Sequence, residues 1–250
     1  MEQTLTENLR KEPLGRLSIY VSDEHTFGTD AVLLADFAGS KKAKKATDIG
    51  TGCGIIPLLL IKNGTAAEVD GVEIQSRAVE ICNESIKLNG LESSFRVHCL
   101  DMKEIKGKLT AGAYDLVTCN PPYKAKGAGD KNLNEAAKIA RHETLCVFED
   151  VVKAAAYILK FGGRLCICHR PERLADVICD MRANGIEPKL LREVIQREGE
   201  SPWLVLVEGR LGGKKGMKVL PPLYVEKDGL LTDEMMKIYG DYKQGKGRRI

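Results

Sequence analysis

An α/β fold, with a mostly parallel seven-stranded sheet and helices on both of its faces, is what this chain predicts. Three observations carry the expectation. Short apolar runs alternate with helical patterns from Ala46 to about Arg170, the order from which parallel sheets are built. A glycine-rich run, Asp48-Ile49-Gly50-Thr51-Gly52-Cys53-Gly54, follows the first of those apolar runs, as where a strand ends and turns into a helix close to a ligand. Lastly, two longer apolar runs close the pattern, Lys189 to Gln196 and Trp203 to Arg210, and a terminal hairpin of this kind supplies an antiparallel edge to a mixed sheet.

Taken in order, Ala31 to Phe37 is an apolar helix with Thr29 or Asp30 placed as its N-cap. Ala46 to Ile49 is a strand, and Ile55 to Lys62 a helix that tolerates Pro57 in its first turn, where no intrahelical donor is needed. Glu68 to Glu73 is a strand, and Arg77 to Leu88 an amphipathic helix stopped by Asn89-Gly90. Strands follow at Phe95 to Leu100 and Tyr114 to Cys119. A helix from Leu145 to Leu159 ends at Gly162-Gly163, Arg164 to His169 is a strand, and Glu172 to Asn184 a helix. The expected organisation is one domain: an N-terminal extension with a ligand-facing helix over 1–45, a core over 46–210, and a basic segment over 211–250. Gly127 to Arg141 has no strand pattern and directly follows a proline-locked turn, so it is a candidate lid.

Composition narrows the classes. At 250 residues, 43% hydrophobic and 29% charged, the chain is an ordinary globular protein, and no run approaches the eighteen or so apolar residues of a membrane span. The N-terminus lacks the basic start and apolar stretch of a secretion signal, and the eight cysteines fall mostly in strand or helix patterns without a Cys-x-x-Cys pair. Reduced, buried thiols in a cytoplasmic protein without a metal are expected. Net charge is only +3, yet Lys41 to Lys45, Lys124 to Lys126, Lys214 to Lys218 and Lys246 to Arg249 are local basic clusters. Gathered near one site, they would attract phosphates.

The chemistry is carried by the glycine run and by Asn120-Pro121-Pro122-Tyr123, which ends the strand at Cys119. Gly50, Gly52 and Gly54 alone fit several nucleotide cofactors. Glu73, at the end of the next strand, suits the two hydroxyls of a ribose, and Asp101 can accept from an adenine amine while Met102 packs on the ring. A surface cap is the plainer role for either carboxylate. A site with no strict need for pyrophosphate contact fits an adenosyl donor better than a dinucleotide. The nitrogen of an adenine or an amide is a poor nucleophile because its lone pair is delocalised. Acceptors such as the Asn120 side-chain oxygen and the Pro121 carbonyl, fixed by proline geometry, help it rehybridise, and Tyr123 stacks on the planar group. Because the nitrogen becomes acidic once methylation has begun, no histidine is expected to be essential.

These residues, with Phe27-Gly28-Thr29-Asp30-Ala31-Val32-Leu33-Leu34 and Ala140-Arg141-His142-Glu143, resemble Rossmann-like class I methyltransferases of the Asn-Pro-Pro-Tyr type. More narrowly, they resemble the bacterial tRNA1(Val) adenine N6-methyltransferase family, which modifies position 37 of the anticodon loop. The resemblance runs from about Thr26 to Val207. It implies S-adenosylmethionine as donor, held by Thr29, Asp48, Gly50, Glu73 and Asp101. It implies tRNA as substrate, with the target nitrogen on Asn120 to Tyr123. From the charge pattern, Lys41 to Lys45, Lys124 to Lys126 and Lys214 to Lys218 are then expected to hold tRNA phosphates, and Arg141 and His142 to position the loop near the substrate. Two other readings stay open: methylation of a protein glutamine, for which the stretch before Asp48 is short, and a non-catalytic RNA-binding protein with the same fold.

Overall fold

The computed structural model describes residues 9–121 and 148–243. The chain opens with a hairpin, β1 (Arg10–Leu14) and β2 (Leu17–Val21), turned at Gly15 with φ 75°. Helix α1 (Thr29–Ala38) follows, then the alternating core: β3 (Ala43–Ile49), α2 (Ile55–Lys62), β4 (Ala66–Glu73), α3 (Ser76–Leu88), β5 (Phe95–Cys99) and β6 (Tyr114–Cys119). Beyond the undescribed stretch come α4 (Phe148–Ile158), β7 (Leu159–His169), α5 (Leu174–Ala183), β8 (Ile186–Ile195) and β9 (Pro202–Leu211). The last part holds four two-residue strands, β10 (Lys218–Val219), β11 (Leu223–Tyr224), β12 (Glu226–Lys227) and β13 (Leu230–Leu231), and helix α6 (Asp233–Tyr239).

The main sheet runs β10-β8-β9-β7-β6-β3-β4-β5, with β11 also pairing β8. Seven long strands form its body as expected, and β9 alone is antiparallel to its neighbours. The expected terminal pair is there, but β9 lies between β7 and β8 rather than on the edge. Its residues explain the position: Leu204 to Val207 are all buried and alternate between the two cores, so both faces of this strand need covering.

One core packs α1, α2, α3, α6 and the hairpin against the sheet, and the other packs α4 and α5. The two-residue period of the strands divides their side chains between them: Leu116, Cys166 and Cys168 face the α1 side, Val117, Leu165 and Ile167 the α4 side. Helix α2 is apolar nearly all round because Ile55 to Leu60 are all buried. Two local expectations are corrected. Gly162 and Gly163 do not end a helix; α4 stops at Ile158, and both glycines lie inside β7. A Cβ on Gly163 would meet the Lys160 carbonyl oxygen at 2.8 Å and that of Tyr114 at 3.0 Å, so the glycine allows a close strand approach. At the start of α1 the N-cap is Gly28, with no side-chain cap bond, and neither Thr29 nor Asp30 fills that place.

Arg164 ties α1 to the sheet. Its guanidinium donates to Glu208 at 2.9 Å and to the carbonyls of Ala38 at 3.2 Å and Lys41 at 2.8 Å. Arginine and glutamate are both buried. The segment over 211–250, expected only as a basic extension, returns to α1 as well. The Tyr239 hydroxyl meets the Thr29 hydroxyl at 2.9 Å, and Phe27 and Tyr239 each stack loosely on Tyr242. No helix among the described residues is long and apolar enough to cross a membrane.

Candidate active site

Parallel pairing brings the carboxyl ends of β6, β3, β4 and β5 into one row. Ile49 pairs with both Val72 and Cys119, and Glu73 with Cys99, so Gly50, Glu73, Asp101 and Asn120 emerge side by side. Between β6 and β3 the strand order reverses, and an α/β sheet opens a crevice at such a point.

The glycine loop is built for close approach. Gly50 and Gly52 have φ of 73° and 54°, and among the described residues a Cβ on either would meet nothing within 4 Å. Gly54 differs. Its φ is 87°, but a Cβ there would meet Cys82 Sγ at 2.6 Å and the Phe95 ring at 3.3 Å. Packing against Cys82 of α3 and Phe95 of β5 by itself calls for glycine here.

Two carboxylates flank this loop. Glu73 is buried, one oxygen accepting from the Gly52 N–H at 2.8 Å and the other from the Gln75 N–H at 2.9 Å. It therefore pins the loop to the end of β4. Asp48 is more deeply buried. Its Oδ1 accepts from the Thr118 hydroxyl at 2.6 Å, and its Oδ2 has no hydrogen-bond partner among the described residues. Burial pushes its carboxyl up to about 7, against the opposing influence of the Thr118 and Thr51 hydroxyls. An orphaned buried oxygen under a bare glycine face suits a cationic group. The Asp101 side chain accepts from the Lys103 N–H at 2.9 Å and caps the short turn Met102–Glu104. Met102 packs partly buried beside it against the α4-side core.

The strand period points Thr118 and Asn120 to the α1 side, together with Cys168 from β7. Asn120 donates through Nδ2 to Asp30 Oδ2 at 3.0 Å and accepts at Oδ1 from the Cys168 thiol at 3.1 Å. Asp30 is the residue that sequence reasoning placed here only as a helix cap. Its signal was position: an acid in the first turn of the helix packed on the row of strand ends. Thr118 was missed too, although it is a polar residue in an apolar strand, two before Asn120 and on the same face. Thr29 lies at the same helix start, its hydroxyl on Tyr239.

Of the remaining expected site residues, Pro121 follows Asn120 and is half-buried, whereas Pro122, Tyr123, Lys124, Lys126, Arg141 and His142 lie outside the described residues, as does the candidate lid. Lys124 to Lys126 and Lys246 to Arg249 lie outside the described residues, and the two described basic clusters do not gather at the site. Lys41 to Lys45 lies at the amino end of β3, the opposite end of the sheet from Gly50, and Lys45 is engaged there with Asp70 at 3.2 Å and over the Tyr114 ring. Lys218 pairs with Leu190 midway along β8, and Lys189 holds the carbonyls of Lys214 and Gly216. Parallel topology separates both from the carboxyl ends.

A family model, the methyltransferase small domain, matches residues 16–179. Among curated proteins, the chain is 30% identical over 182 residues to the tRNA1(Val) (adenine(37)-N6)-methyltransferase of Tolumonas auensis, covering 72% of this chain and 74% of that one. The protein of the same name from Bacteroides fragilis is 28% identical over 181 residues, covering 72% and 75%. Among solved structures, a predicted O-methyltransferase from Agrobacterium tumefaciens superposes with a TM-score of 0.69 at 21% identity, covering 86% of this chain and 97% of that one. Geranyl diphosphate C-methyltransferase from Streptomyces coelicolor, solved with S-adenosyl-L-homocysteine, superposes with a TM-score of 0.53 at 14% identity, covering 72% and 79%. Those two establish likeness of fold.

Proposed function

The chain belongs to the methyltransferase small domain family and is an S-adenosylmethionine-dependent methyltransferase, and we propose that its acceptor is the exocyclic N6 of an adenine in tRNA, at position 37 of tRNA1(Val). The observation that carries this reading is Asn120, held at the carboxyl end of β6 beside the glycine loop, with its amide fixed on both sides. The names of the curated relatives support the same acceptor.

The donor supplies a methyl group activated on a sulfonium. In this reading Gly50 and Gly52 offer the backbone surface along which it lies, and Glu73 accepts from the ribose hydroxyls. Asp48 puts negative charge under the cationic end, and Asp101 and Met102 border the adenine. Thr29 lies at the N-terminus of α1, whose amides favour a carboxylate. Asn120 Oδ1 and the Pro121 carbonyl accept from the target amine, so that its lone pair leaves the ring system and turns to the methyl carbon. The sequence adds Pro122 to stiffen the turn and Tyr123 to stack on the base, with Lys124, Lys126, Arg141 and His142 toward the polymer. An adenine buried in a folded anticodon loop would have to be turned out of its stack to reach Asn120.

The test is transfer of radiolabelled methyl from S-adenosylmethionine to total tRNA from a strain lacking this gene, with digestion to nucleosides. Label in N6-methyladenosine is expected, and Asn120→Ala retains donor binding while losing turnover by about two orders of magnitude or more. Label in a release factor rather than in tRNA would move the acceptor to a glutamine amide. Near-normal turnover by Asn120→Ala would remove the proposed role of that side chain.

A further inference from the structure

We infer that Asp30 is a positioning residue for methyl transfer, acting through the Asn120 amide; this rests on the acceptor reading above. The geometry is a line of three side chains across three elements. The Asp30 carboxylate, on the first turn of α1, accepts from Asn120 Nδ2 at 3.0 Å, and the thiol of Cys168, fully buried on β7, donates to Asn120 Oδ1 at 3.1 Å. An ionised carboxylate has no hydrogen to give, so only the NH2 end of the amide can face Asp30. The oxygen end is thereby turned away from α1. The backbone makes room for this: a Cβ on Gly28 would lie 2.5 Å from Asp30 Oδ1, so the N-cap is glycine where the acid folds back over it.

Two consequences follow for the reaction. The first is orientation. A primary amide can present either end, and the wrong end would oppose its NH2 to the NH2 of the substrate. The second is charge. In the transfer, N6 forms a bond to the methyl carbon while the carbon–sulfur bond breaks and its electron pair returns to sulfur. The nitrogen becomes transiently cationic and then releases a proton to solvent. A carboxylate hydrogen-bonded to the amide NH2 draws that N–H toward itself and raises the electron density on Oδ1. The amide oxygen is then a better acceptor as positive charge develops on N6. Asp30 therefore acts on the acceptor side of the transition state, whereas Glu73 and Asp48 lie on the donor side.

The decisive experiment compares Asp30→Ala and Asp30→Asn with the wild type in kcat on tRNA and in S-adenosylmethionine Kd by calorimetry. The expected result is a fall in kcat of roughly tenfold to hundredfold for Asp30→Ala, with donor Kd within about twofold. Asp30→Asn, which keeps an acceptor but no charge, should recover part of the loss. In an Asn120→Ala background, Asp30→Ala should cost little more, because both changes remove one coupled contact. Weakened donor binding with kcat intact would overturn the inference and make Asp30 a donor contact, and so would additive losses in the double variant. If wild-type enzyme labels no tRNA, the acceptor reading fails by itself. The coupling is then read from the Asn120 side-chain NH2 resonances, identified by their loss in Asn120→Ala. A downfield, slowly exchanging pair that collapses in Asp30→Ala upholds the contact, and resonances unmoved by that substitution remove it.

Discussion

Asp48 shows how burial makes a carboxylate sensitive near neutral pH. Its side chain is sealed beneath the glycine loop, and desolvation raises it to about 7 although the Thr118 hydroxyl donates to it. A carboxyl raised on folding binds more protons in the folded than in the unfolded chain between about pH 4 and about pH 7. Its contribution to stability therefore falls as pH rises through that window and is level above it. Thermal melts of the wild type should lose stability over this range by more than those of Asp48→Asn. A sulfonium donor favours the ionised form, so donor affinity should rise from about pH 6 to about pH 8 in the wild type and stay flat in Asp48→Asn. Equal pH slopes in the two proteins would take Asp48 out of the donor site. At this scale the sequence was legible wherever a residue type is demanded by backbone geometry. The positive φ values of Gly50 and Gly52 could be foreseen, because few other residues adopt them. The Asp30 to Asn120 contact could not, since ninety positions separate the two residues.

Arg164 belongs to the scale of elements, because it fixes the far end of the helix whose near end carries Asp30. Its guanidinium reaches the Ala38 and Lys41 carbonyls and the Glu208 carboxylate, with both charged side chains buried. Removing one partner leaves the other charge buried and unpaired, which costs about 3–5 kcal/mol. Arg164→Met should therefore lower the melting temperature strongly, while Arg164→Met with Glu208→Leu should recover much of the loss. A double variant as unstable as the single one would show that the helix-end carbonyls, not the ion pair, carry the effect. The hairpin of β1 and β2 is held by comparable side-chain bonds: Tyr20 N–H donates to Ser85 Oγ, and Asn89 both accepts from and donates to the Ser18 backbone. The alternation Leu17, Ile19, Val21 was available to signal β2, with Gly15 for its turn. By contrast, α2 and β6 have the expected bounds, Ile55–Lys62 and Tyr114–Cys119. The apolar pattern and the glycine and proline flanks of those elements are local, so they can be read without the rest of the chain.

For the whole molecule, the division between the two ends of the sheet governs how charge can act. The amino end of β3 carries Lys41, Lys42, Lys44 and Lys45, and the carboxyl end carries the site. A seven-residue strand spans roughly 20 Å, about twice the reach of an exposed charge at physiological salt. Reversing Lys41, Lys42 and Lys44 to Glu should leave tRNA Kd and its salt dependence nearly unchanged. A fall in the salt slope of about one per lysine would show instead that the RNA reaches around the sheet. The sequence by itself determined the strand and helix order between Ala46 and Arg210, the glycine turn and the Asn-Pro-Pro-Tyr run after β6, because these depend on periodicity and on backbone restrictions a few residues long. Only the tertiary structure decided that β9 lies inside the sheet, that the two described lysine clusters, at Lys41 to Lys45 and Lys214 to Lys218, stand away from the row of strand ends, that Gly54 is hemmed in by Cys82 and Phe95, and that Asp30 and Cys168 hold Asn120 from either side. Those outcomes depend on which distant segments meet, and pairing between strands and helices far apart in the chain is set by the burial of both partners together.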